Sequence, residues 1–333
     1  MSRKISFKDA INEALSQEME RDGSVIVMGL DNAGGRGTDG QLDAWGGVLG
    51  VTKGLYGKYG DRVIDTPISE SSYIGAAVGA AACGMRPVVE MMFSDFFGVC
   101  FDQMMNQAAK FRYMFGGKAV TPVTMRTCYG GGFRAAAQHS QVLYSVFSHI
   151  PGLKVVVPST PHDAKGLLTQ CIRDNDPVIF MEHKVLYAMK GEVPEESYTI
   201  PFGKANIVRE GKDVTVVAIG WMVHKALQAA QSLSKAGVEC EVIDPRTVSP
   251  LDYDTIIKSV EKTGRLVIVD ESNPRCSMAS DISSVVAQNA FKALKGSIQM
   301  VTAPHTPSPF SGALEDLYLP SPAKIEAAVK ATM

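Results

Sequence analysis

Metal-binding and disulfide patterns are missing from this sequence. Its six cysteines, Cys83, Cys100, Cys128, Cys171, Cys240 and Cys276, form no CxxC and no paired spacing, and its histidines keep no ligand-like intervals. That excludes a zinc ribbon and a disulfide frame and fits thiols kept reduced. An excess of one charge is lacking too. The 33 Lys and Arg against 35 Asp and Glu leave −2, which offers little to nucleic acid or to an anionic bilayer. No apolar run approaches membrane-spanning length, and the opening MSRKISFKDA has no apolar signal core. The chain is therefore expected in the cytoplasm, on neither nucleic acid nor membrane. A phosphate loop is absent as well. The glycine-rich residues 34–40 contain no lysine followed by Ser or Thr, and they do not open a helix after a strand, so a loop is expected there.

What is present is alternation. With 333 residues, 45% of them hydrophobic, the chain is long enough for two cores. Ser6 can cap a helix through Asp9, with Ala10, Ile11, Ala14, Leu15 and Met19 as its apolar stripe. Short continuous apolar runs follow at 25–28, 62–64, 87–92, 122–125, 154–157 and 177–181, with helical patterns between them, including 161–173. Continuous rather than alternating apolar strands predict a parallel sheet covered on both faces. The polar, Pro-bearing stretch GEVPEESYTIP breaks the pattern. Beyond it strands at 213–220, 238–243 and 266–269 alternate with helices at 222–236 and 279–293, and Ser321 with Pro322 signals a last helix. The expected fold is α/β in two domains, residues 1–190 and 201–333, joined by a linker at 191–200.

Glu70 closes the block DTPISE, where a short strand ends in a proline turn and a helix of small residues begins. A carboxylate there gains about 0.3–1 kcal/mol from the helix macrodipole, and it also stands well placed to hold an acid against a ligand. Gly75 and Gly79 each cost helix stability, about 1 kcal/mol, which suggests that another backbone or subunit approaches this helix closely. The run Gly130-Gly131-Gly132-Phe133-Arg134 offers backbone freedom just before His139, whose neighbours Gln138, Ser140 and Gln141 can fix a tautomer. A histidine that satisfies a helix start is an equal reading. Phe96, just past the strand with Glu90 and Met92, can stack on a flat ring, although core packing is the commoner role for it and for Phe93, Phe97 and Phe101. Glu182-His183-Lys184 follows a buried strand and can line a cleft at that strand's carboxyl end.

Taken in order, the blocks DTPISE, GAAVGAA, DQMMNQAAKFRYMFGG, AAQHSQ, HIPGLKVVVPSTPHDAKGLL, RDNDPVIFMEHK and GVECEVIDPRTVSPLD resemble one family. It is that of the beta subunits of thiamine-diphosphate-dependent 2-oxoacid and acetoin dehydrogenases, and the resemblance runs nearly end to end. It implies that 1–190 is a pyrimidine-binding domain and 201–333 a transketolase C-terminal-like domain. It implies that Glu70 hydrogen-bonds the cofactor's aminopyrimidine, favouring the tautomer that takes a proton from the thiazolium carbon. Ile68, Met92 and Phe96 match positions around the pyrimidine, and His139 matches a histidine implicated in handling intermediates and in transfer to a lipoyl arm. Backbone carbonyls of Val123, Cys171, Ile172, Asp174 and Asp176 align with a potassium site found in some members.

The Gly-Asp-Gly signature for a diphosphate-bound Mg²⁺ is absent, and Gly60-Asp61-Arg62 is the nearest fragment. The resemblance assigns that half to an alpha subunit, in an α2β2 heterotetramer that serves a lipoyl-bearing acyltransferase core. The blocks DAWGGVLGVTKGLY and FRAAAQHSQ look most like the acetoin-cleaving branch. Pyruvate or another 2-oxoacid is the alternative substrate. Leu30 stands where many members carry an acid, which implies either that Asp31 substitutes, that proton coupling is altered, or that the substrate lies outside the usual set. It also keeps open a non-catalytic scaffold of the same fold.

Overall fold

The computed structural model describes residues 2–34 and 46–333. Most of the glycine-rich loop, and Asp43, Ala44 and Trp45 of the DAWGG block, lie outside the described residues. The chain divides into two compact units. Residues 1–129, 146–182 and 186–202 form the first, and 130–145, 183–185 and 203–333 form the second. His139 thus belongs to the second unit, not to the part of the chain that precedes it.

Among the described residues, the main sheet of the first unit runs in the order Lys154–Val156, Val178–His183, Thr124–Tyr129, Arg86–Phe93, Val25–Gly29 and Val63–Asp65. The pairs Val25–Gly29 with its two neighbours, Arg86–Phe93 with Thr124–Tyr129, and Lys154–Val156 with Val178–His183 are parallel. Thr124–Tyr129 and Val178–His183 are buried along their whole length, as a sheet covered on both faces requires. Helix Phe7–Arg21 begins at Ser6, whose hydroxyl accepts from the Asp9 N–H at 3.1 Å, and Pro161–Arg173 begins at Thr160 with proline at its first position. These two helices pack together, with Lys165 fully buried between Glu13 and the carbonyls of Pro194 and Glu195 at 2.7 and 2.9 Å.

Sequence reading missed one small ribbon. Ser2–Ser6 pairs antiparallel with Lys190–Pro194, so residues 191–194 of the stretch read as an aperiodic linker are strand. A two-stranded edge needs no apolar run, because only alternate side chains meet the core, and here Val193 is the buried one.

In the second unit the strand order is Gln299–Thr302, Leu266–Asp270, Val214–Ala218, Cys240–Asp244, Asn206–Arg209, parallel except for the last. Val214, Val216 and Ala218 face helices Met222–Lys235 and Pro322–Ala331, while Val217 faces Tyr253–Thr263 and Met278–Asn289. Two apolar layers therefore enclose the sheet.

Asp252 caps Tyr253–Thr263. Its carboxylate accepts from the N–H groups of Thr255 and Ala205 at 3.2 and 3.0 Å. Partial burial pushes this carboxyl up, but the N–H and hydroxyl donors outweigh burial and hold it below the usual range. Its stabilising contribution is therefore full above the unfolded value, about 3.9, and disappears as pH falls through the lower folded value. Asp252→Ala is expected to cost about 1 kcal/mol at neutral pH in urea unfolding. The gap from wild type should close as the pH drops below about 4.

Candidate active site

Helix Glu70–Ala82 starts at Ser69, whose carbonyl accepts from the Ser72 and Tyr73 N–H groups at 3.1 Å. No side chain caps it, so Glu70 is the anion in its first turn. The helix packs on strand Arg86–Phe93 and on the turn Ser94–Val99, the elements that carry Met92 and Phe96. Met92 is buried, Phe96 is half-buried edge-to-face with Phe93 at 5.7 Å, and Ile68 is 78% exposed. The structure thus gathers Glu70, Met92 and Phe96 on mutually packed elements, with Ile68 on the turn that leads in. Burial, and then the charge of Glu70, pushes the Cys100 thiol up to about 12 and raises the Tyr73 hydroxyl further. Both neighbours keep their protons at neutral pH.

Beneath this surface lies a charged core that sequence reading did not single out. The buried Arg126 guanidinium donates to both oxygens of Glu182, at 2.7 and 2.9 Å, and to Glu90 at 2.8 Å. Tyr187 donates its hydroxyl to Glu182 at 2.7 Å. Glu90 and Arg126 are direct partners in the sheet register. Burial raises the Glu182 carboxyl, opposed by Arg126. The cleft-lining role expected for Glu182 and His183 is therefore corrected, since both are buried. A signal was available: Glu90, Arg126 and Glu182 are lone charges inside apolar strands, and a buried charge requires an opposite partner.

Leu30 is half-buried, and Asp31, the carboxylate considered as its substitute, is exposed at φ 55°. Gly29 is fixed by close approach, because a Cβ there would stand 2.7 Å from the Asn32 amide and 2.9 Å from Glu90.

In the second unit the glycine run before His139 is a packed platform rather than free backbone. Gly130 has φ +89°, and a Cβ on it would come 2.2 Å from His183 Nε2. The Gly131 N–H donates to Glu271 at 2.5 Å and the Gly132 N–H to Glu315 at 2.9 Å, while Arg134 donates to Glu315 and Asp316. His183 Nδ1 accepts from the Val185 N–H at 3.3 Å, so the ring donates through Nε2 to Glu271 at 2.8 Å. Burial raises the Glu271 carboxyl, but His183 and the Gly131 N–H prevail and hold it low. His139 is half-buried, and its carbonyl accepts from Lys184 Nζ. Glu271 and Glu315, both missed in the sequence, thus anchor the segment that carries the histidine.

Four of the five carbonyls aligned with a potassium site, those of Val123, Cys171, Ile172 and Asp174, already have donors. Arg86 donates to Ile172 and Asp174 at 3.0 and 2.9 Å, Asp174 N–H to Cys171 at 3.2 Å, and Val178 N–H to Val123 at 3.0 Å. Among the described residues no group of three or more His, Cys, Asp or Glu side chains could hold a metal.

The two units and the acid-bearing helix define a transketolase-type protein. The family model of the transketolase pyrimidine-binding domain matches residues 3–190, and that of the transketolase C-terminal domain matches 203–325. A solved split-gene transketolase, an inactive beta4 tetramer, shares the fold with TM-score 0.79 at 22% identity over 98% of both chains. The chain is 68% identical to the acetoin:2,6-dichlorophenolindophenol oxidoreductase beta subunit of Cupriavidus necator, over 100% of this chain and 98% of that one. The Bacillus subtilis protein of the same name is 61% identical over 98% and 96%. A pyruvate dehydrogenase E1 beta subunit of Rickettsia felis is 45% identical over 98% and 97%. The chain belongs to the family of beta subunits of thiamine-diphosphate-dependent acetoin and 2-oxoacid dehydrogenases.

Proposed function

We propose that this chain is the beta subunit of an acetoin dehydrogenase first component, cleaving acetoin to acetaldehyde and passing an acetyl group to lipoamide. The observation that carries this reading is 68% identity over the whole chain to an acetoin-oxidising relative, against 45% to a pyruvate-oxidising one. The site residues fit the cofactor's aminopyrimidine. Glu70 offers a carboxyl at an uncapped helix start, and Met92 and Phe96 offer a thioether and a ring on elements packed against that helix. Thiamine diphosphate, when bound, supplies the nucleophilic carbon and the electron sink. Glu70 holds a proton at the ring nitrogen, Met92, Phe96 and Ile68 position the ring, and His139 moves protons during transfer to lipoamide.

An alpha subunit completes the site in an α2β2 assembly, holds most of the Mg²⁺ coordination and docks with this chain on a lipoyl-bearing acyltransferase core. The outward face of helix Glu70–Ala82 supports such a contact, for Gly79 is exposed and a Cβ on it would meet nothing within 4 Å. Six cysteines held as thiols favour the reducing cytoplasm. Co-expression with an alpha-type subunit, followed by dye reduction with acetoin or pyruvate, tests the reading. Turnover of acetoin well above pyruvate supports it, pyruvate preference overturns the substrate, and cofactor binding without any turnover would favour a scaffold.

Potassium belongs to the same proposal. A carbonyl oxygen has two lone pairs, so the bonds from Arg86 leave room for an ion while supplying much of the positive charge. Replacing K⁺ by Na⁺ is expected to lower the thermal midpoint of wild type and to lower that of Arg86→Ala by more. Differential scanning fluorimetry in the two salts reads both.

A further inference from the structure

Residues 130–143, which carry His139, form neither helix nor strand, so no backbone ladder sets their path. Irregular stretches of that length are uncommon inside a compact unit and are usually functional. This one is also strained. Arg134 has φ 57° and Ala136 φ 60°, left-handed values that a residue with a Cβ keeps only where its surroundings over-determine them. Those surroundings are side chains of the same unit. Glu271 and Glu315 accept from the N–H groups of Gly131 and Gly132 at the start, and buried Tyr144 donates its hydroxyl to Asp270 just past the end.

Lys184 acts at the middle. It is 2% exposed, and its ammonium donates to the backbone carbonyl of His139 itself. A lysine is almost never so buried without an opposite charge nearby. Glu271 supplies that charge. Burial raises its carboxyl, while His183, the Gly131 N–H and the charge of Lys184 hold it low. The carboxylate that pins the start of the segment is thus also the counter-charge of the lysine that pins its histidine. A water or a neutral amide would satisfy a carbonyl at less cost than a buried ammonium, so carbonyl pairing alone does not account for Lys184. We propose that Lys184 is a positioning residue, which fixes the peptide of His139 so that the imidazole meets its reacting partner without rearrangement. The proposal rests on the role given to His139 in transfer to lipoamide. Without the ammonium, the strained turns at Arg134 and Ala136 would relax and carry the histidine with them. A displacement of about 1 Å at a reacting group can cost about 10²-fold in rate.

Each variant is assembled with an alpha-type subunit and supplied with acetoin, and two rates are read, acetyl transfer to free lipoamide and reduction of a dye. Lys184→Met should slow transfer about 10²-fold and dye reduction about 10-fold less than that. In a chain that already carries His139→Gln, Lys184→Met should slow transfer by no more than about 3-fold, because its effect runs through the histidine. Transfer by Lys184→Met within about 3-fold of wild type overturns the proposal, as does an equal fall in both rates or a full further loss on top of His139→Gln. Circular dichroism checks folding. If Lys184→Met does not fold, Lys184→Gln takes its place, and failure of both to fold makes Lys184 structural and overturns the proposal. A slow His139→Gln beside a normal Lys184→Met removes only the positioning role. A normal His139→Gln removes the reading on which that role rests. Where wild type turns over pyruvate and not acetoin, the substrate reading falls, and the same comparisons in pyruvate still decide Lys184.

Discussion

Glu70→Gln, assembled with an alpha-type subunit, should lower acetoin turnover by about 10²–10⁴-fold, the usual worth of a positioned acid or base. The amide fills the same space at the start of helix Glu70–Ala82 but cannot exchange a proton. Its loss of macrodipole stabilisation is small, about 0.3–1 kcal/mol, so the thermal midpoint should fall by a few degrees at most. Cofactor affinity, read by titration of the assembled protein, should weaken far less than turnover falls. Turnover within 3-fold of wild type would remove Glu70 from proton handling, and loss of folding in parallel would reassign it to structure.

The second large effect concerns stability. Arg126→Met leaves Glu90 and Glu182 buried side by side without a cation, and it should cost about 3–5 kcal/mol. Urea unfolding measures this directly. Neutralising both acids in the same chain, Glu90→Gln with Arg126→Met and Glu182→Gln, should recover a large part of the loss. Recovery would assign the cost to unpaired charge. A triple variant no better than the single would assign it to the lost guanidinium packing at the sheet. Burial favours the neutral form of Glu182, so the single variant should lose less at pH 5 than at pH 8.

Local signals were legible in the sequence and long-range ones were not. Ser6, Pro161 and Ser321 with Pro322 marked helix starts because a cap involves residues only three apart, and all three helices begin there. Apolar runs located most strands to within two residues, since a strand buried on both faces must be apolar throughout. Lys190–Pro194 escaped because an edge ribbon can be polar and contain proline. Glu70 was recognisable as a helix-start acid, but the packing of its helix against the elements that carry Met92 and Phe96 required the fold. The Gly130 to Gly132 run suggested freedom. In the structure it records crowding by His183, Leu319 and Trp221, which no spacing announces. Glu271 and Glu315 each follow or sit within ordinary sequence, and only the tertiary path brings them to those backbone N–H groups.

The ribbon between Ser2–Ser6 and Lys190–Pro194 sets the order in which the first unit can be finished during synthesis. Ser2–Ser6 is made before the rest of that unit's sheet, and its pairing partner only after it. Until Pro194 emerges, residues 2–6 present unsatisfied N–H and C=O groups to any other extended chain nearby. Closing the longest loop last is slow, because its entropy must be met before the contact rewards it. A growing chain is thus open to mispairing at residues 2–6 until residue 194 has been made.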